Sequence, residues 1–157
     1  MDEHDVLSEY QSGKRNFAGV YLATAFFVEA NLEGIDLNHA DLRGANMNLV
    51  NLKGANLQGA NLGPTKLNGI DLRANLRDAQ AERANLSNAN MEGVNLVRAN
   101  LRGANLRWAN LTGATLLCAD LTDANLEEAE VTREQLQEAM SVRGARLPNG
   151  TNLDGSH

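Results

Sequence analysis

The chain has 157 residues, a formal net charge of -6 and an isoelectric point near 5.0, which suits one domain rather than two. Aromatics make up only 4% of it and Cys118 is its one cysteine, so neither an aromatic-rich core nor an internal disulfide can hold it together. No apolar run approaches the ~18 residues of a membrane span, and the acidic balance is wrong for a basic nucleic-acid binder. What remains is a core of Leu and Ala beside 20 Asn and 14 Gly.

In chain order, the first expected element is a short helix. Val6, Leu7 and Tyr10 have helical spacing, and Gly13 is a plausible stop. Residues 1–15 are therefore read as an N-terminal capping helix and linker. The start, Met1-Asp2-Glu3-His4-Asp5, is acidic where a signal peptide is basic and then apolar, so a cytoplasmic setting is expected.

From Phe17 an apolar residue returns every five positions as far as Leu72, steps once by four to Leu76, and then returns every five as far as Val131. Of these 24 centres 18 are Leu; two positions before them Ala stands 17 times, one position before them Asn 14 times and Asp 4 times, and two positions after them Gly is frequent. A period of five turns an α-helix through about 500°, about 140° beyond one full turn, so the Leu residues would spiral round it. In an extended segment, Ala and the centre share one face and Asn or Asp takes the other. The two remaining residues change direction, and Gly suits a position needing φ > 0. The pattern predicts a coil of very short strands with a corner every five residues.

Runs such as Ala40-Asp41-Leu42-Arg43-Gly44, Ala55-Asn56-Leu57-Gln58-Gly59 and Ala99-Asn100-Leu101-Arg102-Gly103 resemble the A-[DN]-L-x-x motif of pentapeptide-repeat proteins, over about residues 16 to 133. The resemblance implies an all-β solenoid: a right-handed quadrilateral β-helix with four repeats per coil, hence about six coils. At about 4.8 Å per strand that shaft would be roughly 29 Å long. The repeats are bounded at 16–131. Counting four per coil stacks Phe17, Leu37, Leu57, Leu76, Leu96 and Leu116 in one internal ladder. Phe27, Met47, Leu67, Leu86, Leu106 and Leu126 then form the opposite one. Leu101 belongs to the same inward set, and Phe17 and Phe27 fill the first coil. Ala81 is the one small centre, predicting either a local void that Leu would fill or a shift of neighbours that would leave Leu overpacked.

The four-residue step at Ile70-Asp71-Leu72-Arg73-Ala74 predicts a tightened corner beside Arg73, or else a register slip. Just before it Gly63-Pro64 replaces a usual corner, and Pro64 removes an N–H donor. At the end of the repeats, Thr132-Arg133-Glu134-Gln135 reads as a capping box opening a second helix with Leu136, Ala139 and Met140 as its apolar stripe. Residues 143–150 are read as departing from the repeat, in the manner of the tail of many cyanobacterial members. Residues 132–151 thus form a C-terminal capping helix and tail, and 152–157 are expected to be disordered.

No catalytic constellation is visible. His4, His39 and His157 are dispersed, Cys118 sits at a corner without a His in register, and the glycines do not form a phosphate loop. No metal or other cofactor is expected. Charge is uneven: Arg73 to Arg107 is basic, Asp120 to Glu138 acidic. The four-sided register puts Arg77 and Arg98 on one face and Arg83 and Arg102 on the next, an edge able to meet an acidic partner or phosphate. Trp108, Leu49, Phe26, Tyr21, Val97 and Leu117 are the outward apolar departures, with Trp108 and Leu49 on one face.

The expected function is a non-enzymatic scaffold or protein-interaction module. It would be monomeric, with an unidentified protein partner and no nucleic acid or membrane. The alternative implied by the resemblance is a DNA mimic that binds DNA gyrase. The acidic C-terminal third favours that alternative, while the basic middle and the short rod oppose it.

Overall fold

The computed structural model describes residues 1–67 and 70–152. Its elements in chain order are α1 (Glu3–Gln11), β1 (Thr65–Leu67), β2 (Ile70–Leu72) and α2 (Arg133–Glu138). Apart from one antiparallel bridge near the C-terminal end, the rest of the described chain pairs through a stack of single parallel bridges. A first face runs Asn16, Asp36, Asn56, Asn85, Asn105, Asn125, Arg146. A second runs Tyr21, Asp41, Asn61, Asn90, Asn110, Glu130. A third runs Phe26, Asn46, Asn75, Asn95, Thr115, and a fourth Asn31, Asn51, Gln80, Asn100, Asp120, Ser141. These four faces enclose a core in which the coil's Leu centres are buried, Phe17 and Phe27 with them, as are the Ala residues two positions before the centres, except the half-buried Ala30.

The unit around Leu86 shows why the pentapeptide folds this way, because its backbone donors can all be accounted for. Asn85 donates to the preceding coil at Ala55 O (2.9 Å), and Leu86 and Asn88 donate to the following coil at Asn105 O (2.8 Å) and Arg107 O (2.9 Å). Ala89 closes the corner on Leu86 O (3.1 Å). The fifth donor, Ser87 N–H, points along the face, and the Asn85 side chain accepts it at 3.2 Å. Asn therefore does more than present a polar group to water. It terminates the one N–H that no neighbouring coil can reach, and its amide links coils, as Asn105 Nδ2 does to Asn85 Oδ1 (3.2 Å).

Except after Leu62, where the excursion leaves the shaft, the corner residue two after each coil centre has φ between 56° and 67°, from Gly19 through Arg98 and Trp108 to Glu128. A positive φ at that position alone is the type II turn anticipated from the glycines. Twelve non-glycine residues hold it, Thr24 among them, so the coil imposes the corner even where the side chain disfavours it.

The four-residue step is neither a tightened corner nor a slip. Bridges connect Asn46 with Asn75 and Asn61 with Asn90, 29 residues apart where every earlier coil takes 20. Nine residues leave the shaft, and β1 and β2 pair antiparallel, Thr65 with Leu72 and Leu67 with Ile70. Leu62 and Leu76 are 14 apart, which is one repeat of five plus the nine. Leu67 and Leu72 imitate the period without belonging to the coil. Every ladder beyond them shifts: Leu57 N–H donates to Asn85 O (2.7 Å), so Leu86, not Leu76, stands beneath it, and Leu76 stacks under Met47 instead. Leu101 and Leu106 remain inward and fully buried.

At the N-terminal end α1 opens on an Asp2–Asp5 capping box, buries Val6 in the core and donates from the Tyr10 hydroxyl to Glu33 O (2.8 Å). At the other end the Thr132–Gln135 box is formed as expected. Gln135 Oε1 also accepts Thr132 N–H (2.9 Å), the donor an Asn would have taken, since Glu130 stands at the Asn position. Leu136 and Ala139 are buried, but Met140 is exposed, so it does not belong to the apolar stripe. Residues 143–150 also differ from expectation. After α2 the repeat resumes: Ser141 bridges Asp120, Val142 and Ala145 are buried, Gly144 makes the corner and Arg146 bridges Asn125. Asn152, expected in the disordered end, bridges Arg146 antiparallel; the rest of that end, 153–157, lies outside the described residues.

Candidate interaction surface

The four arginines sit as anticipated. Arg77 and Arg98 lie on the third face in adjacent coils, Arg83 and Arg102 on the fourth. The excursion leaves their relation unchanged because all four follow it in the chain. Their charges, however, are engaged. Arg77 Nε and Arg98 Nε reach the two oxygens of Asp78 at 3.3 and 2.8 Å. Arg102 Nη1 meets Asp120 Oδ2 at 3.2 Å. Only Arg83 stands well out, 79% exposed and 3.9 Å from Glu82.

Two carboxylates in such pairs are acidified. Asp41 is held below the usual carboxylate range by the Arg43 guanidinium it accepts from, against some burial. At Asp120 burial pushes the carboxyl up, but hydrogen bonds from the Thr122 hydroxyl and N–H and from Arg102 outweigh it, and the net direction is down. Asp2 is likewise lowered, chiefly by the Asp5 N–H at the helix start.

Trp108 is half exposed on the first face, at a corner. The Arg107 guanidinium lies 4.2 Å above its ring and also reaches Glu127 (3.4 Å), which Arg146 shares (3.2 Å). Leu49 is on the third face, so the two do not share a wall as the uninterrupted count had it. The nine-residue excursion accounts for the difference. It also has the opposite effect elsewhere. Val97 and Leu117, which that count assigned to the wall of Phe17, stand on the wall of Phe26 and Leu49. The third face therefore gathers Phe26, Val28, Leu49, Val97 and Leu117. All are exposed but the half-buried Val97, and the Arg77–Asp78–Arg98 cluster lies between the two apolar ends. Val28 was overlooked in the sequence; its signal was an apolar residue where the repeat is polar.

Among the described residues no three or more of His, Cys, Asp and Glu are grouped to hold a metal, and no helix is long and apolar enough to cross a membrane. Cys118 is exposed at a third-face corner, its N–H taken by Glu138 O (2.9 Å).

A five-residue period, four parallel ladders and a filled interior define a quadrilateral solenoid. The pentapeptide repeats family matches the chain in eight copies over residues 16–54, 36–73, 55–93, 74–113 and 104–139, and the chain belongs to that family. Its fold is accordingly the right-handed quadrilateral β-helix. No curated protein matches the chain. Among solved structures, trypsin-treated QnrB1, a plasmid-mediated fluoroquinolone resistance protein, is 18% identical with a TM-score of 0.59, covering 84% of this chain and 69% of its own. Rfr23 from the cyanobacterium Cyanothece 51142 is 24% identical with a TM-score of 0.46, covering 96% and 99%. HetL, involved in heterocyst differentiation regulation in the cyanobacterium Nostoc sp. strain PCC 7120, is 25% identical with a TM-score of 0.31, covering 98% and 100%.

Proposed function

We propose that this pentapeptide-repeat chain is a non-enzymatic interaction module whose third face receives a protein partner. The observation that supports it is the gathering of Phe26, Val28, Leu49, Val97 and Leu117 on one wall. Isolated exposed apolar residues are ordinary; several on a single narrow wall mark a contact surface. Among the described residues the interior is filled by apolar side chains, which offers a substrate no convergent polar site. Residues 1–15 close one end of the shaft of 16–131 and residues 132–151 the other, the latter with α2 and the resumed repeat at Ser141–Arg146 together, and the module acts as a monomer in the cytoplasm, where the exposed thiol of Cys118 stays reduced. The Arg77, Arg83, Arg98 and Arg102 edge is the competing surface. Its supporting feature is the protruding Arg83; ion pairing of the other three weakens it. A gyrase-binding DNA mimic has less support still, because the same arginines interrupt the acidic walls.

Two variants decide between the surfaces. One carries Phe26→Asn, Leu49→Gly and Leu117→Thr, the other Arg83→Glu and Arg102→Glu. Both are immobilised and exposed to extract of the source cells. A protein retained by the unaltered chain should be lost from the first variant and kept by the second. The reverse pattern assigns function to the arginine edge, and retention by both overturns the third face.

A further inference from the structure

The first coil has no coil before it, and its edge is closed unevenly. One coil later, Asp41 N–H donates to Val20 O and Asn46 N–H to Ala25 O. The equivalent donors of the first coil, Tyr21 N–H and Phe26 N–H, have no acceptor among the described residues. The carbonyls of Asp41, Arg43, Asn46 and Asn48 receive Leu22, Thr24, Phe27 and Glu29; those of Tyr21, Ala23, Phe26 and Val28 receive nothing among the described residues. Helix α1 covers one edge carbonyl, Glu33 O, through Tyr10; the main-chain groups of Asn16 and Asn31 are also unpaired among the described residues, but their side chains still accept Ala18 N–H and Glu33 N–H. At this same edge the structural Asn is replaced by Tyr21 and Phe26, 68% and 64% exposed. Ala23 and Val28 thereby lose the side-chain acceptor that the regular unit supplies.

We infer that the Tyr21–Val28 edge is a docking site for an extended segment of another protein, apolar and flanked by Lys or Arg. Main-chain pairing along Phe26–Val28 supplies affinity, and the outward Phe26 and Val28 side chains select apolar neighbours. Charge sets the occupant. Lys14 and Glu9 pair with each other, which leaves Asp2, Glu3, Asp5, Glu29 and Glu33 at this end against Arg15. Two such acidic ends repel, so a second copy meeting head to head is disfavoured, whereas a basic segment is attracted. This deepens the third-face reading at its N-terminal end and rests on it.

The probe is a short synthetic peptide alternating Val and Thr with a Lys pair at each end, followed by amide NMR of the full chain. Binding should shift the Tyr21, Phe26 and Val28 amides and slow exchange at Tyr21 and Phe26. A Glu-flanked peptide, or one with its backbone N-methylated, should bind at least about tenfold more weakly. Phe26→Asn should weaken binding by about tenfold without lowering the melting temperature. No binding of the Lys-flanked peptide at high micromolar concentration overturns the inference. So do indifference to charge, shifts confined to other faces, or mutual protection of this edge by self-association. Binding weakened by Leu117→Thr but untouched by Phe26→Asn overturns the edge while keeping the third face.

Discussion

The units around Leu86 and Phe27 follow the same path and differ in their wiring. Both centres are buried, at 0% and 1% exposure, and both corners take a positive φ, at Asn88 and Glu29. Around Leu86 all five N–H groups are accepted; around Phe27, those of Phe26 and Val28 are not, among the described residues. The inward positions are thus held constant while the outward Asn is dispensable one unit at a time. The shaft survives because each missing bond is local and water can replace it. A family built this way can vary its walls without changing its core, and the walls are where departures gain meaning.

The comparison is broken most severely from the inside. Leu106→Ala should destabilise by about 2–5 kcal/mol, as truncation of a fully buried Leu does, measured by urea denaturation with an unchanged slope. An equal loss from truncating Leu117, exposed on the third face, would contradict the division between interior and wall.

A smaller effect is expected in acid. Asp41 and Asp120 titrate below their unfolded value near 3.9, so the unfolded chain binds more protons than the native one there. Their contribution is fully present above that value and is lost as pH falls through the lower folded pKa. Asp120→Asn keeps an oxygen for Thr122 N–H but discards the Arg102 pair. Its melting temperature should therefore decline less steeply than that of the unaltered chain below about pH 4.

The least effect should follow the largest deletion. Removing residues 64–72 joins Leu62-Gly63 to Arg73-Ala74-Asn75-Leu76 and restores an uninterrupted period of five. With Arg73→Gly supplying the left-handed corner, stability should change by no more than about 1 kcal/mol. Loss of folding would show that the hairpin belongs to the shaft.

That deletion also marks what could be read in the sequence. The inward Leu and Ala, the outward Asn and the positive-φ corners follow from a period that only one backbone geometry accommodates. The period hides the excursion because Leu67 and Leu72 fall where coil centres belong, so nine extra residues read as one missing residue. The signal was present: Asn68-Gly69 between Thr65-Lys66-Leu67 and Ile70-Asp71-Leu72 is a hairpin dipeptide. Missing it moved Trp108 onto the wrong wall and hid the convergence of Val97 and Leu117 with Phe26. The resumed repeat at Ser141-Val142-Arg143-Gly144-Ala145 was obscured for a similar reason. Helix α2 replaces a third-face strand, and Val142 lies six residues after Leu136 where the shaft would have five.

The most direct test exchanges the two wirings. Phe26→Asn gives Val28 N–H its missing acceptor, and Asn85→Phe removes the acceptor of Ser87 N–H together with the amide links to Asn56 and Asn105. By calorimetry the first variant should melt a few degrees higher and the second a few degrees lower, at about 2–4 °C per kcal/mol for a chain of this size. A lower melting temperature for Phe26→Asn would show that Phe26 is part of what holds the shaft together, and would remove the reason for regarding it as a surface kept for a partner.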